Sequence, residues 1–313
     1  MPDYKLVDLQ GSAMPASAKP QDTPKAILLA TDLSARSDRA FDRALQLAEH
    51  WKAKLVLLVV LSAESSFSKP NHFKRDDDDA DDTPSVEEQV AERVREELPE
   101  TDVEIEVHVE AAAHVGQTAL RVAETYGCGL IITGIARSDA LQRVSLGSTV
   151  VWLSRHSPLP ILVVQCRPRG PYKHVGVATD LSEPSAKAAV LAAQWFDDAQ
   201  KRVLLHGYEV SLSDLTGDDP SREAMLAKAH QDADSELLQW RDNTLPKLFA
   251  PHWQPRAELC NPVRLLRQAS LDEALDLSVI ATHGRSRLMD ALIGSVAKRL
   301  LETSITDTLI VRG

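Results

Sequence analysis

An internal repeat is the feature that most constrains the fold of this chain. The segment Ala30-Thr31-Asp32-Leu33-Ser34 recurs as Ala178-Thr179-Asp180-Leu181-Ser182, at an offset of 148 residues. The longer stretches Leu130 to Ser148 and Leu277 to Ser295 also match, at an offset of 147 residues. Identity at a nearly constant spacing indicates a tandem duplication. The 313 residues suit two domains of roughly 150 residues each.

Each half has the pattern of an open α/β domain. The apolar run from Lys25 to Thr31 is typical of a strand buried on both faces of a parallel sheet. Ser34 is predicted to cap the helix that follows, and Ser85 with Glu88 has the spacing of a capping box. The predicted elements that complete the first half are a strand over 54–61, a helix over 85–98, a strand over 102–110, a helix over 116–126, a strand over 129–134, a helix over 147–155 and a strand over 160–165.

The second half repeats this order of elements, beginning with a strand at Val175. The predicted elements are helix 182–196, strand 203–208, helix 221–245, strand 254–259, helix 262–269, strand 276–282, helix 294–303 and strand 308–312. Strands that alternate with helices predict right-handed crossovers and a largely parallel sheet of five strands in each half. The expected division is a tail over 1–24, a first domain over 25–168 and a second over 172–313.

Composition excludes several classes of partner. The net charge of −11 argues against nucleic acid or an anionic membrane surface as the main partner. No apolar run approaches the roughly 20 residues of a membrane span, and the first 24 residues lack the apolar segment of a signal peptide. Three scattered cysteines, Cys128, Cys166 and Cys260, predict no disulfide framework. A reducing, cytoplasmic setting is therefore expected.

The repeated stretches 130–148 and 277–295 have the pattern of an anion site. Each runs from a buried strand into a glycine-containing loop and then into a helix that begins at a Gly-Ser pair. Unpaired backbone N–H groups and a helix N-terminus together bind phosphate. The alternative is a strand-to-helix turn that uses glycine only for its geometry.

With these motifs in hand, the chain resembles the universal stress protein family in two tandem copies. The Thr-Asp-x-Ser turn after the first strand and the Gly-x-x-Gly, nine residues, Gly-Ser pattern after the fourth carry the resemblance, which covers 25–313. It implies a flavodoxin-like, adenine nucleotide alpha hydrolase-like fold in each half. It also implies ATP or another adenine nucleotide as the ligand, with Mg²⁺ as an optional companion.

The first half departs from the family pattern at one loop position. The resemblance maps the adenosine end onto Thr31, Asp32 and Val60, and the phosphate loop onto Gly134, Arg137, Gly147 and Ser148. Arg137 stands where the family has its second glycine. Its side chain either blocks a close backbone approach, at a cost of roughly 1–2 kcal/mol if the position needs φ > 0, or itself reaches a phosphate.

The second half departs at two positions, Gly207 at the end of the second strand and Ala281 at the first loop glycine. The resemblance maps the site onto Thr179, Asp180, Thr282, His283, Gly284, Arg285, Gly294 and Ser295. His283 either donates to an anion or is simply exposed to solvent. One methyl group at Ala281 disturbs the loop less than an arginine, so the second half is the better candidate for phosphate and the first for adenosine.

The predicted function is a stress-response protein that binds adenine nucleotide in one or both halves and acts as a regulator with little or no catalysis. The alternatives are an interaction scaffold with degenerate sites and a slow ATP hydrolase. Neither a P-loop nor a dinucleotide fingerprint is present in the sequence. No residue is nominated as a catalyst and no metal site is predicted. The terminal strands 160–165 and 308–312 are expected to pair within the chain, because edge strands seek partners, and association into a homodimer stays open.

Overall fold

The computed structural model describes residues 23–34, 37–61, 84–135, 147–210, 220–282 and 295–313. Its strands are β1 (Ala26–Thr31), β2 (Lys54–Leu61), β3 (Ile105–Ala111), β4 (Leu130–Gly134), β5 (Ile161–Val164), β6 (His174–Ala178), β7 (Lys201–Tyr208), β8 (Gln254–Leu259), β9 (Leu277–Thr282) and β10 (Asp307–Arg312). Its α-helices are α1 (Asp38–Trp51), α2 (Val86–Glu97), α3 (Val115–Thr125), α4 (Ser148–His156), α5 (Glu183–Trp195), α6 (Pro220–Thr244), α7 (Pro262–Asp272) and α8 (Ser295–Thr303).

These strands form one continuous ten-stranded sheet in the order β3-β2-β1-β4-β5-β10-β9-β6-β7-β8. Within each half every described pairing is parallel. Strands β5 and β10 pair antiparallel and join the halves. Each half is therefore a doubly wound, flavodoxin-like α/β domain, as the sequence predicts.

The sheet is covered by helices on both faces because its inner strands are apolar on both faces. Along β1, Ile27 and Leu29 face one hydrophobic cluster, with α1, α2, α5 and α6, while Leu28 and Ala30 face the other. The second cluster contains residues of α3, α4, α7 and α8. This two-sided burial explains why the strands are near-continuous apolar runs instead of alternating ones.

The structure confirms one predicted helix start and corrects another. Ser85 accepts from the Glu88 N–H while the Glu88 side chain accepts from the Ser85 N–H, which is the predicted capping box. The prediction that Ser34 caps the next helix is wrong, because α1 starts at Asp38 with Ser37 as its N-cap. The Ser34 hydroxyl donates to Asp32 Oδ1 at 2.7 Å instead.

One core position is filled in opposite ways in the two halves. In the first half Leu28 of β1 and Cys128 ahead of β4 are both buried. The matching positions in the second half are Gly176 and Leu275, and a Cβ on Gly176 would lie 2.5 Å from the Leu275 side chain. The larger residue of the pair thus lies on β1 in the first half and ahead of β9 in the second.

The halves meet along an approximate twofold axis. Leu162 of β5 faces Leu309 of β10, and these two residues occupy the same place in the two copies. Aromatic rings pack across this junction, with Trp51 of α1 5.3 Å from Trp195 of α5 and 6.2 Å from Phe196 between ring centroids.

Among the described residues no helix is both long and apolar enough to cross a membrane.

Candidate functional site

Each half has one point at which the order of strands reverses. In the first half this lies between β1 and β4, whose register places Ala30 beside Thr133. In the second half it lies between β6 and β9, whose register places Val177 beside Val279. Ligands of open α/β sheets bind outside the carboxyl ends of the strands at such a point. The topology thus brings Asp32 near Gly134 and Asp180 near Thr282 at equivalent places in the two halves, which we call the crevices.

The turn after β1 is held by its own side chains. The Thr31 hydroxyl accepts from the Leu33 N–H at 3.1 Å, and Asp32 Oδ1 accepts from the Ser34 N–H at 3.0 Å. Leu33 adopts φ of 56°, a left-handed conformation that is unusual for a leucine. The hydroxyl of Ser37 also donates to Asp32 Oδ1. Side-chain hydrogen bonds therefore stabilise a turn that costs about 1–2 kcal/mol of backbone strain.

The turn after β6 follows the same path. Thr179 accepts from the Leu181 N–H at 2.9 Å, Asp180 Oδ1 accepts from the Ser182 N–H at 3.1 Å, and Leu181 has φ of 62°. Here the fifth residue after the aspartate, Ser185, hydrogen-bonds Thr179 Oγ1 at 2.8 Å. Ser182 accepts from the Ser185 N–H and caps α5.

Charge at the first turn is set by these hydroxyl groups. Burial raises the pKa of Asp32, but hydrogen bonds from Ser37 and Ser34 outweigh it and leave that pKa below its ordinary value. Asp32 is therefore a carboxylate at neutral pH, and a fixed hydrogen-bond acceptor beside the crevice.

The residues that the resemblance assigns to the phosphate loops lie partly outside the described residues. Gly134 ends β4, Gly147 is the N-cap of α4, and Ser148 opens that helix with an exposed side chain. Gly147 has φ of −56°, which any residue adopts, so its backbone conformation does not require glycine. Arg137, His283, Gly284, Arg285 and Gly294 lie outside the described residues, and Ser295 is described only as the first residue of α8.

Thr282 is the residue at this edge whose surroundings point most directly to a ligand. It ends β9 at the crevice of the second half and is 1% exposed. Its hydroxyl finds no hydrogen-bond partner among the described residues. A buried hydroxyl without a partner costs about 1–3 kcal/mol, and an acceptor such as a phosphate oxygen would remove that penalty.

The second strands of the two halves end differently. Val60 of β2 is half-buried, whereas a Cβ on Gly207 of β7 would lie 2.6 Å from the Cys260 carbonyl oxygen. Glycine is needed at this place because the backbone that follows β8 lies against it. His206, the neighbour of Gly207, also donates from Nδ1 to the Thr179 carbonyl at 3.0 Å. The two crevices therefore have different walls beside a common turn.

Several of these contributors did not emerge from the sequence reasoning. The strained Leu33 and Leu181, and the serines Ser37 and Ser185, complete the turns. The sequence did contain a signal for the serines, because both copies have a serine five residues after the aspartate. The strain had none, because leucine is not a residue that favours positive φ.

Two other features lie away from the crevices. A cavity of about 720 Å³ lies at the amino ends of β2 and β3, and its lining includes Lys52, Lys54, Thr101 and Glu104. Among the described residues no group of three or more histidine, cysteine, aspartate or glutamate side chains is placed to hold a metal ion.

The fold defines a tandem, doubly wound α/β protein in which each half has one strand-order reversal. The model of the universal stress protein family matches residues 24–165 and again 171–312. The chain therefore belongs to the universal stress protein family, with two copies of its domain.

Similar proteins agree with this assignment. A universal stress protein of Mycolicibacterium smegmatis is 26% identical over 67% of this chain and 69% of its own length. One of Mycobacterium tuberculosis is 27% identical over 58% of this chain and 61% of its own length.

Solved structures share the tandem fold. A protein of Pseudomonas aeruginosa, described as functionally unknown, has a TM-score of 0.61 at 19% identity and covers 95% of both chains. A universal stress protein of Archaeoglobus fulgidus has a TM-score of 0.59 at 16% identity, over 92% of this chain and 98% of that one. At these identities the likeness shows the fold alone.

Proposed function

We propose that this universal stress protein is a cytoplasmic, nucleotide-responsive regulator that binds ATP, ADP or AMP in one or both halves. The observation that carries the proposal is the buried Thr282 hydroxyl at the strand-order reversal of the second half, which has no hydrogen-bond partner among the described residues. It stands where β9 runs toward the N-terminus of α8. Helix N-termini and adjacent backbone N–H groups favour an anion at such a place.

The two turns support the same proposal. Thr31 with Asp32, and Thr179 with Asp180, place a hydroxyl and a carboxylate at the carboxyl end of the first strand of each half. A carboxylate there is suited to accept hydrogen bonds from ribose hydroxyls. Val60, Gly134, Arg137, Gly147 and Ser148 would complete the first site. His283, Gly284, Arg285, Gly294 and Ser295 would complete the second.

Unequal binding by the two halves is part of the proposal. Around the adenosine end, Val60 leaves the first half with an apolar, half-buried wall. In the second half the Cys260 backbone lies where the side chain of the corresponding residue, Gly207, would be, and His206 donates a hydrogen bond to the Thr179 carbonyl. The first half is therefore the better candidate for the base and the second for the phosphates.

The test is a thermal-unfolding and calorimetric titration of the full chain with ATP, ADP and AMP, with and without Mg²⁺. A ligand at 100 times its Kd adds about 2.7 kcal/mol to the free energy of unfolding. Asp32→Asn and Asp180→Asn, examined singly, should each remove the shift that belongs to one half. Thr282→Val should weaken only the second site.

The matched control is Glu97→Gln, which changes an exposed carboxylate of α2 far from both crevices. It should leave every titration unchanged. The absence of any shift at millimolar concentrations of all three nucleotides would overturn the proposal. Phosphate release above that of a heat-inactivated sample would instead favour slow ATP hydrolysis.

A further inference from the structure

The junction between the halves contains a buried ion pair whose members come from different halves. Arg43 of α1 is 3% exposed and Asp307 of β10 is 0% exposed. Arg43 Nε lies 3.4 Å from Asp307 Oδ2. Two ions are costly to remove from water, and they remain charged inside a protein only when each is well compensated.

Residues on either side of the inter-domain linker complete this compensation. Asp307 Oδ1 accepts from the backbone N–H groups of Gln165 and Cys166, each at 2.8 Å. Asp307 Oδ2 accepts from the Tyr172 hydroxyl at 2.7 Å. Burial, reinforced by the charge of Asp307, raises the pKa of Tyr172 well above its ordinary value, so Tyr172 donates as a neutral phenol.

Arg43 is compensated in the same region through its Nη1 and the face of its guanidinium, whereas its Nε meets Asp307 as an ion pair without a hydrogen bond. It donates to the Gly170 carbonyl at 2.9 Å, and its guanidinium carbon lies 3.9 Å above the centre of the Tyr172 ring. A guanidinium over an aromatic face gains a cation–π attraction. The cluster of Arg43, Tyr172 and Asp307 is therefore an assembled polar contact and not a chance ion pair.

This cluster occurs once, although the junction is approximately twofold. The repeat offsets map Arg43 onto Leu191 and Asp307 onto Pro160. The two positions that mirror the ion pair are thus apolar. In an interface with true twofold symmetry the same contact would appear twice.

We propose that Arg43 and Asp307 make the fifth-strand surface of each half selective for the other half. The same two residues disfavour pairing of a half with a second copy of the same half. A pair of first halves would bury Arg43 against Pro160. A pair of second halves would bury Asp307 against Leu191. Either arrangement leaves a buried charge without its partner, which is how interfaces reject the wrong partner.

The experiment uses the full-length chain with a specific protease site inserted after the exposed Arg167. The folded protein is cleaved there, and native mass spectrometry counts mixed pairs and self-pairs of the two halves. After cleavage, the parent with no further substitution should give mixed pairs only. A cleaved parent that falls apart, or that shows self-pairs in random proportions, would overturn the proposal.

Substitutions make the prediction specific for each half. Arg43→Leu should allow self-pairs of the first half alone, and Asp307→Asn self-pairs of the second half alone. The double variant should show both kinds, approaching random assortment, in which mixed pairs are about twice as abundant as each self-pair by simple counting of equivalent subunits. Asp307→Asn keeps an acceptor for the two backbone N–H groups, so it is the variant to use if Arg43→Leu does not fold.

The control is His50→Gln. His50 Nε2 lies 3.3 Å from Asp198 Oδ2 across the same junction. Both side chains are more than a third exposed, at 35% and 42%. An exposed pair contributes little, and the variant should keep mixed pairs only. Self-pairs in this control equal to those of the double variant would show that any lost contact loosens pairing, and would also overturn the proposal.

Discussion

The two Thr-Asp-Leu-Ser turns have the same backbone path but different supporting contacts. Both place a leucine at positive φ and both use the aspartate Oδ1 to accept from the serine two residues later. The next serine differs in its role, since Ser37 donates to Asp32 while Ser185 bonds Thr179. The geometry of the strand end has thus been kept in both copies, while the surrounding hydrogen bonds have diverged.

The cores of the two halves also keep a common arrangement while individual residues differ, here in side-chain volume. Leu28 with Cys128 in one half is matched by Gly176 with Leu275 in the other. Close packing fixes the total volume at this place, and not the identity of either residue. The junction departs from this rule. The positions that correspond to Arg43 and Asp307 are Leu191 and Pro160, so no second ion pair matches the first.

The largest expected effect tests that departure. Arg43→Leu leaves the fully buried Asp307 without its cation, and should lower the free energy of unfolding by about 3–5 kcal/mol. The counterpart Leu191→Met conserves volume and should cost less than about 1.5 kcal/mol. Urea denaturation of the two variants measures the contrast, and equal losses would show that the halves contribute alike.

A core exchange should have the next largest effect. Gly176→Leu in an otherwise unchanged chain forces a side chain into the space of Leu275 and should cost about 1–3 kcal/mol. Adding Leu275→Cys transplants the pair of the first half and should recover most of this loss. If thermal unfolding shows no recovery, the two sites are not equivalent in packing.

A smaller effect is expected at the turn of the second half. Ser185→Ala removes a buried hydrogen bond to Thr179 and should cost about 1 kcal/mol. Ser37→Ala, its counterpart in the first half, removes a bond at an exposed carboxylate and should cost less. Denaturation at neutral pH compares the two, and a larger loss at Ser37 would reverse the proposed difference.

The smallest effect is a pH dependence at Asp32 of the first half. The pKa of Asp32 in the folded protein lies below its unfolded value, so its stabilising bonds are present above that unfolded value of about 3.9 and are lost as pH falls through the folded pKa. The difference in stability between the parent and Ser37→Ala should therefore shrink below about pH 4. A difference that is constant from neutral pH to pH 2 would contradict this account.

Much of the fold could be predicted because the signals were strong and came twice. Apolar runs such as Lys54 to Leu61 marked strands buried on both faces, and the capping box at Ser85 marked a helix start. The start of α1 was not predictable, because Ser34 had a competing acceptor in Asp32 and took it. Local side-chain bonds of this kind compete with helix capping.

The sequence predicted the position of the turn residues but not their surroundings, and their binding role stays a prediction. Thr31, Asp32, Thr179 and Asp180 lie at the two strand-order reversals, where the repeat suggests a ligand. The close approach of Cys260 to Gly207 was hidden, because it depends on a loop more than fifty residues away in sequence. The role of Asp307 was equally hidden, since its partners Arg43 and Tyr172 lie more than a hundred residues away in sequence.

The antiparallel pairing of β5 with β10 has a consequence for synthesis of the chain. Leu162 meets Leu309, so β10 is translated 147 residues after its partner. At about 5–20 residues per second, the first half waits roughly seven to thirty seconds with the apolar edge of β5 unpaired. An open edge of this kind is a template for association with another chain. We expect ribosome-bound chains halted before β10 to be far more prone to aggregation or protease cleavage at β5 than completed chains, which pulsed proteolysis of stalled complexes can measure.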